Sequence, residues 1–382
     1  MEAFEFATAG RVLVGAGRSA ELPALLAACG TRALICTGAS PDRHAELLAG
    51  LGLPAAVFPV AGEPTVALAR AAVAAARDHG ADVVAAIGGG SVIDTGKAVA
   101  MLLGNGGDPL DYLEVIGAGR AITRPSAPCI AVPTTAGTGA EVTANAVLAS
   151  PGHRLKASLR SHTMIPRAAV VDPLLTVSCP PAVTAASGMD ALTQCLEPFV
   201  SPMANPLTDA VAREGIRRAA AGLRRAYADG SDIGARADMA VASVAGGMAL
   251  ANAKLGAVHG LAGVIGGTVA MPHGVACAAL LAPVIEANVA ALRAGPPGHP
   301  ALARYAEVAG LLTGEPGAAI EDGTAWMRHT LELLGIPGLG ASGLAPGQAG
   351  DIATQALRSS SMRGNPVALS AGDLRAILAR AA

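Results

Sequence analysis

Aromatic side chains are scarce in this chain of 382 residues: there are one Trp, three Tyr and four Phe. That shortage excludes the stacking platforms that grip single-stranded nucleic acid. Net charge is nearly absent as well. Lys and Arg number 27 against 29 Asp and Glu, so at −2 no bulk field draws a polyanion. Cysteine is thinly spread over Cys29, Cys36, Cys129, Cys179, Cys195 and Cys277, with no C-x-x-C and no zinc-ribbon spacing. Such cysteines fit a reducing compartment as small buried hydrophobes. The opening MEAFEFATAG carries Glu2 and Glu5 and lacks a basic segment followed by an apolar run, so the expected location is the cytoplasm. Charge is also missing from Leu255 to Ile285. A membrane-spanning helix needs about 20 apolar residues. Gly266-Gly267, Pro272, His259 and His273 interrupt this run, which predicts buried helices and no membrane span.

What is present is apolar: 52% of the chain, an ample core that excludes intrinsic disorder. The length predicts two or three domains. Short β-like runs at 32–37, 55–60, 82–87, 129–132 and 168–171 alternate with helical runs at 65–79 and 91–103. That alternation implies βαβ units and a parallel sheet. Beyond Cys179-Pro180-Pro181 the β-like runs nearly vanish. The segments 183–199, 207–228, 233–254, 274–293, 300–313, 325–334, 349–358 and 371–381 all read as helices. The expected organisation is an α/β domain over 1–180 and an all-helical domain over 181–382, closely packed and leaving a cleft.

Three constellations carry chemistry. Gly88-Gly89-Gly90-Ser91, continuing to Asp94 and Lys97, follows a strand and opens a helix. Glycines let a ligand approach the backbone, and N–H groups at a helix start favour an anion, so a pyrophosphate suits this turn better than a plain strand–helix connection does. It matches neither G-x-G-x-x-G nor a Walker A loop. Pro133 to Glu141 follows another strand, and its Thr134, Thr135 and Thr138 can reach ribose, phosphate or amide groups at the carboxyl edge of a sheet. In the helical half, Asp190 and Gln194 stand at i, i+4 on one helix face, while His259 and His273 fall on separate helices in the charge-free stretch. Buried histidines need hydrogen-bond partners or a metal. Asp, Gln and two His would suit a divalent cation if they converge.

Together these residues resemble the iron-containing (group III) alcohol dehydrogenase family along essentially the whole chain. GGGSVIDTGK (Gly88–Lys97), PTTAGTGAEVT (Pro133–Thr143), VVDPLLT (Val170–Thr176), SGMDALTQCLEPFVS (Ser187–Ser201) and KLGAVHG with MPHG fall in the family's order. The resemblance implies a dinucleotide-binding α/β domain, a helical domain, and reversible hydride transfer between NAD(P)H and a small carbonyl, commonly in a dimer or larger assembly. By resemblance Gly88, Gly89, Gly90, Ser91 and Asp94 belong to the pyrophosphate turn. Thr134, Thr135 and Thr138 line the nucleotide track, and Lys156 lies near the nicotinamide ribose. Asp190, His259 and His273 match three of the family's four usual ligands for Fe or Zn.

Two positions depart from the family. Gln194 stands where a ligand His is usual; its carboxamide keeps the site's formal charge but is a weaker, harder donor. Gly263 stands where many relatives carry a proton-relaying His. A metal-free route like that of the related maleylacetate reductases, with His259 or His273 as general acid, therefore stands beside the metal-assisted one. Family members selective for NAD usually carry Asp where this chain has Gly38. Its absence, with Ser40 and Arg43 following, favours acceptance of NADP(H). A dehydroquinate-synthase-type lyase would need basic residues that the stretch from Leu255 lacks. A non-catalytic nucleotide-binding relative is disfavoured by the two retained loops.

Overall fold

A computed structural model describes residues 3–153, 155–269 and 271–382. It divides into two compact units, Ala7–Ser178 and a second made almost wholly of Cys179–Ala382.

The first unit is built on a parallel sheet of β1 (Val12–Val14), β2 (Ala33–Gly38), β3 (Ala55–Val60), β4 (Val83–Gly88), β5 (Cys129–Pro133) and β8 (Ala168–Val171), in the order β1-β8-β5-β4-β2-β3. β6 (Asn145–Ser150) and β7 (Leu155–Arg160) form a separate antiparallel hairpin. Near-continuous apolar strands are what a sheet covered on both faces requires. Alternation along them divides the core in two. Leu34, Cys36, Val84, Ala86 and Ala131 face helices Val66–His79 and Gly90–Asn105. Ala33, Ile35, Val83, Ala85, Ile87, Ile130 and Val132 face the opposite layer with Leu22 and Leu26.

The register fixes where ligands can sit. Gly88 pairs with Pro133, and Thr37 with Ile87, so β2, β4 and β5 end together at one edge. From that edge the chain leaves β2 toward β3 on one side and β4 toward β5 on the other. Connections diverging from adjacent strands open a crevice at their carboxyl ends, the usual ligand position in such sheets.

The second unit is helical. Its main helices are Pro181–Val200, Pro206–Ala228, Ile233–Ala253, Ala257–Thr268, His273–Ala294, Pro300–Thr313 and Ile320–Leu333, with shorter ones at Ala349–Ala356 and Ala371–Arg380. Helix His273–Ala294 is long and apolar enough to cross a membrane by composition, but 72% of its apolar window is buried within the fold. Helix Ala257–Thr268 escapes a reading by pattern, because Gly260, Gly263, Gly266 and Gly267 look like breakers. It turns about 100° from helix Ile233–Ala253 through Lys254, a non-glycine residue at φ 64°.

Candidate functional site

At the sheet edge, backbone is the working material. Helix Gly90–Asn105 is capped by Gly89 without a side-chain hydrogen bond, so Ser91 lies inside its first turn and not at the cap. The N–H groups of Gly90 and Ser91 at that start have no acceptor within the helix and lie at the positive end of its dipole, whereas Val92 N–H donates to Gly89 O at 3.0 Å. The Thr/Gly loop lies directly over it. Thr134 N–H donates to Gly88 O at 3.0 Å. A Cβ at Gly90 would come within 2.7 Å of the Thr138 side chain, and one at Gly89 within 3.2 Å of Thr135. A side chain at 90 would force Thr138 to move and one at 89 would press on Thr135, so the two loops form one surface.

That surface is pinned by a lysine. Lys97 has no solvent exposure, and its Nζ donates to Ala140 O at 2.9 Å and Thr143 Oγ1 at 3.0 Å and pairs with Asp94 Oδ1 at 3.1 Å. Asp94 Oδ2 accepts from Val147 N–H at 2.9 Å, so both its oxygens serve the protein's own chain. Burial pushes the Glu141 carboxyl up to about 7, against the pull of its own backbone and of Lys97. Lys156 stands on β7, half-buried and paired with Glu63 Oε2 at 3.0 Å. Gly38 ends β2 with nothing among the described residues within 4 Å of the place a Cβ would take, and Ser40 and Arg43 lie exposed on the turn that follows.

In the helical unit, side chains do the work. Asp190, Gln194 and Glu197 form one stripe of helix Pro181–Val200 at i, i+4, i+7 and are all buried. His259 sits in the first turn of helix Ala257–Thr268, and His273 opens helix His273–Ala294. Gly274 makes that placement possible: a Cβ there would fall 2.1 Å from Ala186 O, so the helix start rests on the backbone of the Asp190 helix. Asp190 Oδ1 lies 3.2 Å from His259 Nε2 and 3.9 Å from His273 Nε2. The other His259 nitrogen, Nδ1, meets Glu197 Oε2 at 2.6 Å, while Glu197 Oε1 accepts from Val258 N–H at 2.7 Å. Cys277 Sγ lies 3.6 Å from His273 Nε2. One donor atom each from Asp190, His259, His273 and Cys277 falls within 4.8 Å of all the others.

Electrostatics binds this cluster. Burial raises the pKa of Asp190, but the His259 hydrogen bond, both histidine charges and a Gln194 hydrogen bond outweigh it and lower the value. Burial opposes protonation of His259, yet Cys277, Glu197 and Asp190 raise it well above the ordinary imidazole range. Cys277 chiefly, opposed by burial, raises His273 to about 9. Gln194 Oε1 is buried with no hydrogen-bond partner among the described residues. A buried set of carboxylate, thiol and imidazole donors, with an orphaned amide oxygen on the same helix as Asp190, fits a divalent cation. The carboxylate behind His259 is the usual partner of a ligating imidazole, fixing its tautomer and orientation.

Asp190, His259 and His273, predicted to serve one site, are thus brought together with Gln194 beside them. Nothing among the described residues lies within 4 Å of the place a Cβ at Gly263 would take. Sequence reasoning passed over Glu197 and Cys277. The spacing of Glu197 seven residues after Asp190, and of Cys277 four after His273, is the signal that would have found them.

The chain belongs to the iron-containing alcohol dehydrogenase family. Residues 9–173 match the iron-containing alcohol dehydrogenase domain, and residues 184–382 match the family's C-terminal domain. Among curated proteins, it is 41% identical over 251 residues to 1,3-propanediol dehydrogenase of Klebsiella pneumoniae, a stretch covering 65% of this chain and 64% of that protein. The match thus spans just under two thirds of that relative's length. Among solved structures, a 1,3-propanediol oxidoreductase superimposes over 100% of both chains with a TM-score of 0.92 at 32% identity. Sulfoacetaldehyde reductase from Bifidobacterium kashiwanohense, solved in complex with NAD+, does so over 100% of this chain and 99% of its own with a TM-score of 0.87 at 28% identity.

Proposed function

We propose that the protein is an NAD(P)-dependent, metal-assisted oxidoreductase that interconverts a small aldehyde or ketone and its alcohol. The observation that carries this reading is the convergence of Asp190 Oδ1, His259 Nε2 and His273 Nε2 in the helical unit of a family member. The propanediol and sulfoacetaldehyde enzymes it is similar to support a short-chain substrate.

The sheet edge takes the dinucleotide. The first-turn N–H groups after Gly89 face the pyrophosphate, with Ser91 beside them, while Thr134, Thr135 and Thr138 supply hydroxyls to the rest of the nucleotide. Asp94 and Lys97 act behind this surface and hold it in shape. Lys156 contributes to the ribose region from the hairpin. The space at Gly38, together with Ser40 and Arg43, supports acceptance of a 2′-phosphate, which Asp42 on the same turn opposes.

A divalent cation, when bound, supplies Lewis-acid polarisation of the carbonyl oxygen. Asp190, His259 and His273 would hold it, with Glu197 orienting His259. His273 is partly exposed whereas Asp190 and His259 are buried, so its side is the approach for substrate. Gln194 Oε1 is an orphaned acceptor suited to an alcohol O–H. In a metal-free route, with Gly263 in the place of a relaying imidazole, partly exposed His273 would be the group to exchange a proton with solvent. Hydride transfer itself belongs to the nicotinamide, and the protein's part is orientation and exclusion of water.

The test is NAD(P)H oxidation with a panel of short aldehydes, including 3-hydroxypropanal and sulfoacetaldehyde. Turnover of at least one is expected; no turnover of any aldehyde or ketone by metal-loaded protein contradicts the reading. Gly38→Asp should raise KM for NADPH more than for NADH; equal KM changes contradict the cofactor assignment.

A further inference from the structure

The thiol of Cys277 has no counterpart in the motifs that announce the site, yet it sits among the donors. We propose that Cys277, as thiolate, completes the metal site with Asp190, His259 and His273, and that Gln194 supports Asp190 without being a ligand. The proposal rests on the metal-assisted reading above and refines which atoms hold the ion.

Geometry carries it. A tetrahedral ion with bonds of about 2.0–2.3 Å keeps its donors roughly 3.3–3.8 Å apart. The separations of Asp190 Oδ1 to His259 Nε2, His273 Nε2 to Asp190 Oδ1, and Cys277 Sγ to His273 Nε2 are 3.2, 3.9 and 3.6 Å. All four donor atoms lie within 4.8 Å of one another. Cys277 follows His273 by four residues on one helix, so both side chains reach the same point. Its side chain is fully buried, on a helix whose other buried residues near His273 include Gly274, Ala276, Ala278 and Leu280. The Gln194 amide is engaged with Asp190 as a donor, which steadies that carboxylate.

The donor set has consequences. Asp190 and a Cys277 thiolate together neutralise a divalent ion, where one Asp with three imidazoles leaves a positive charge. A thiolate is soft, so the set favours Zn2+ or Co2+ over Fe2+ and disfavours Mg2+.

The test uses the full-length enzyme, stripped by chelation and reloaded with Co2+ or Zn2+ alone. The Co2+ protein should bind about one ion per chain and show a near-ultraviolet thiolate-to-cobalt charge-transfer band. The wild-type spectrum alone is informative, whatever the variants do. Cys277→Ser should abolish the band and weaken Zn2+ affinity by more than ~100-fold, above the range expected from losing an outer partner. Cys195→Ser, a buried thiol outside the cluster, should keep both. Gln194→Ala should keep the band. Stoichiometric cobalt without a thiolate band, or Zn2+ affinity lost in Gln194→Ala and kept in Cys277→Ser, overturns the assignment of Cys277 and leaves metal assistance standing. Failure of wild-type protein to bind either ion overturns both.

Discussion

The two halves of the chemistry are made of different material. At the sheet edge, glycines and threonines bring backbone close to a ligand, and one buried cation, Lys97, ties the loops together from behind. In the helical unit, the backbone is only a scaffold, and side chains from three helices supply every donor atom. The first arrangement is fixed by the path of the chain through Gly88–Ser91 and Pro133–Thr138. The second is fixed by how helices pack, with Gly274 seated on Ala186 O. Substitutions should therefore fail in different ways: at the edge through shape and cofactor affinity, in the cluster through loss of metal.

The largest separation of the two comes from Asp190→Ala. Removing the carboxylate that touches both histidines should eliminate stoichiometric metal and lower kcat/KM by about 1,000-fold or more, the scale of several kcal/mol of transition-state charge stabilisation. Dinucleotide affinity, read by NAD(P)H fluorescence, should change little. Lys97→Met tests the opposite half. It strips a donor from Ala140 O, Thr143 and Asp94 and should cost about 3 kcal/mol in chemical denaturation, as expected when one partner of a buried ionic network is removed. Gly90→Ala should weaken dinucleotide binding ~10-fold or more, since its Cβ would press on Thr138, and should leave metal content unchanged. Loss of metal in that variant would break the contrast.

The smallest effect is a pH dependence at the edge. The Glu141 pKa is about 7 in the folded protein and near 4.3 when unfolded. The folded state then holds a proton that the unfolded state has released, so stability falls as pH rises across that window and levels off above it. Glu141→Gln cannot ionise. It should be more stable than wild type at pH 8 and no more stable at pH 4. Parallel curves for the two proteins would remove this account of Glu141.

The same contrast explains what the sequence disclosed. Strands such as Val83–Gly88 and Ala168–Val171 were legible because buried parallel strands are short, apolar and bounded by turns. The glycine and threonine loops were legible because each is one contiguous stretch of chain. The hairpin of β6 and β7 was not, since Pro151-Gly152-His153 interrupts a pattern that alternates only weakly. Asp190, His259 and His273 stood out as polar groups in apolar surroundings, but their meeting depends on helix packing that no spacing encodes. Cys277 and Glu197 were hidden for a further reason. A cysteine in an Ala-rich helix reads as one more small buried residue, and a glutamate before Pro198 reads as the end of a helix, until their partners are placed beside them.

The central claim is that the donor cluster holds a metal on which carbonyl reduction depends. The most direct test compares NADPH oxidation by chelator-stripped enzyme with that of the same enzyme reloaded with Zn2+, at an aldehyde concentration that saturates the reloaded form. The account predicts that stripping abolishes turnover and that about one equivalent of Zn2+ or Co2+ restores it. Undiminished turnover by protein shown to be metal-free would contradict it.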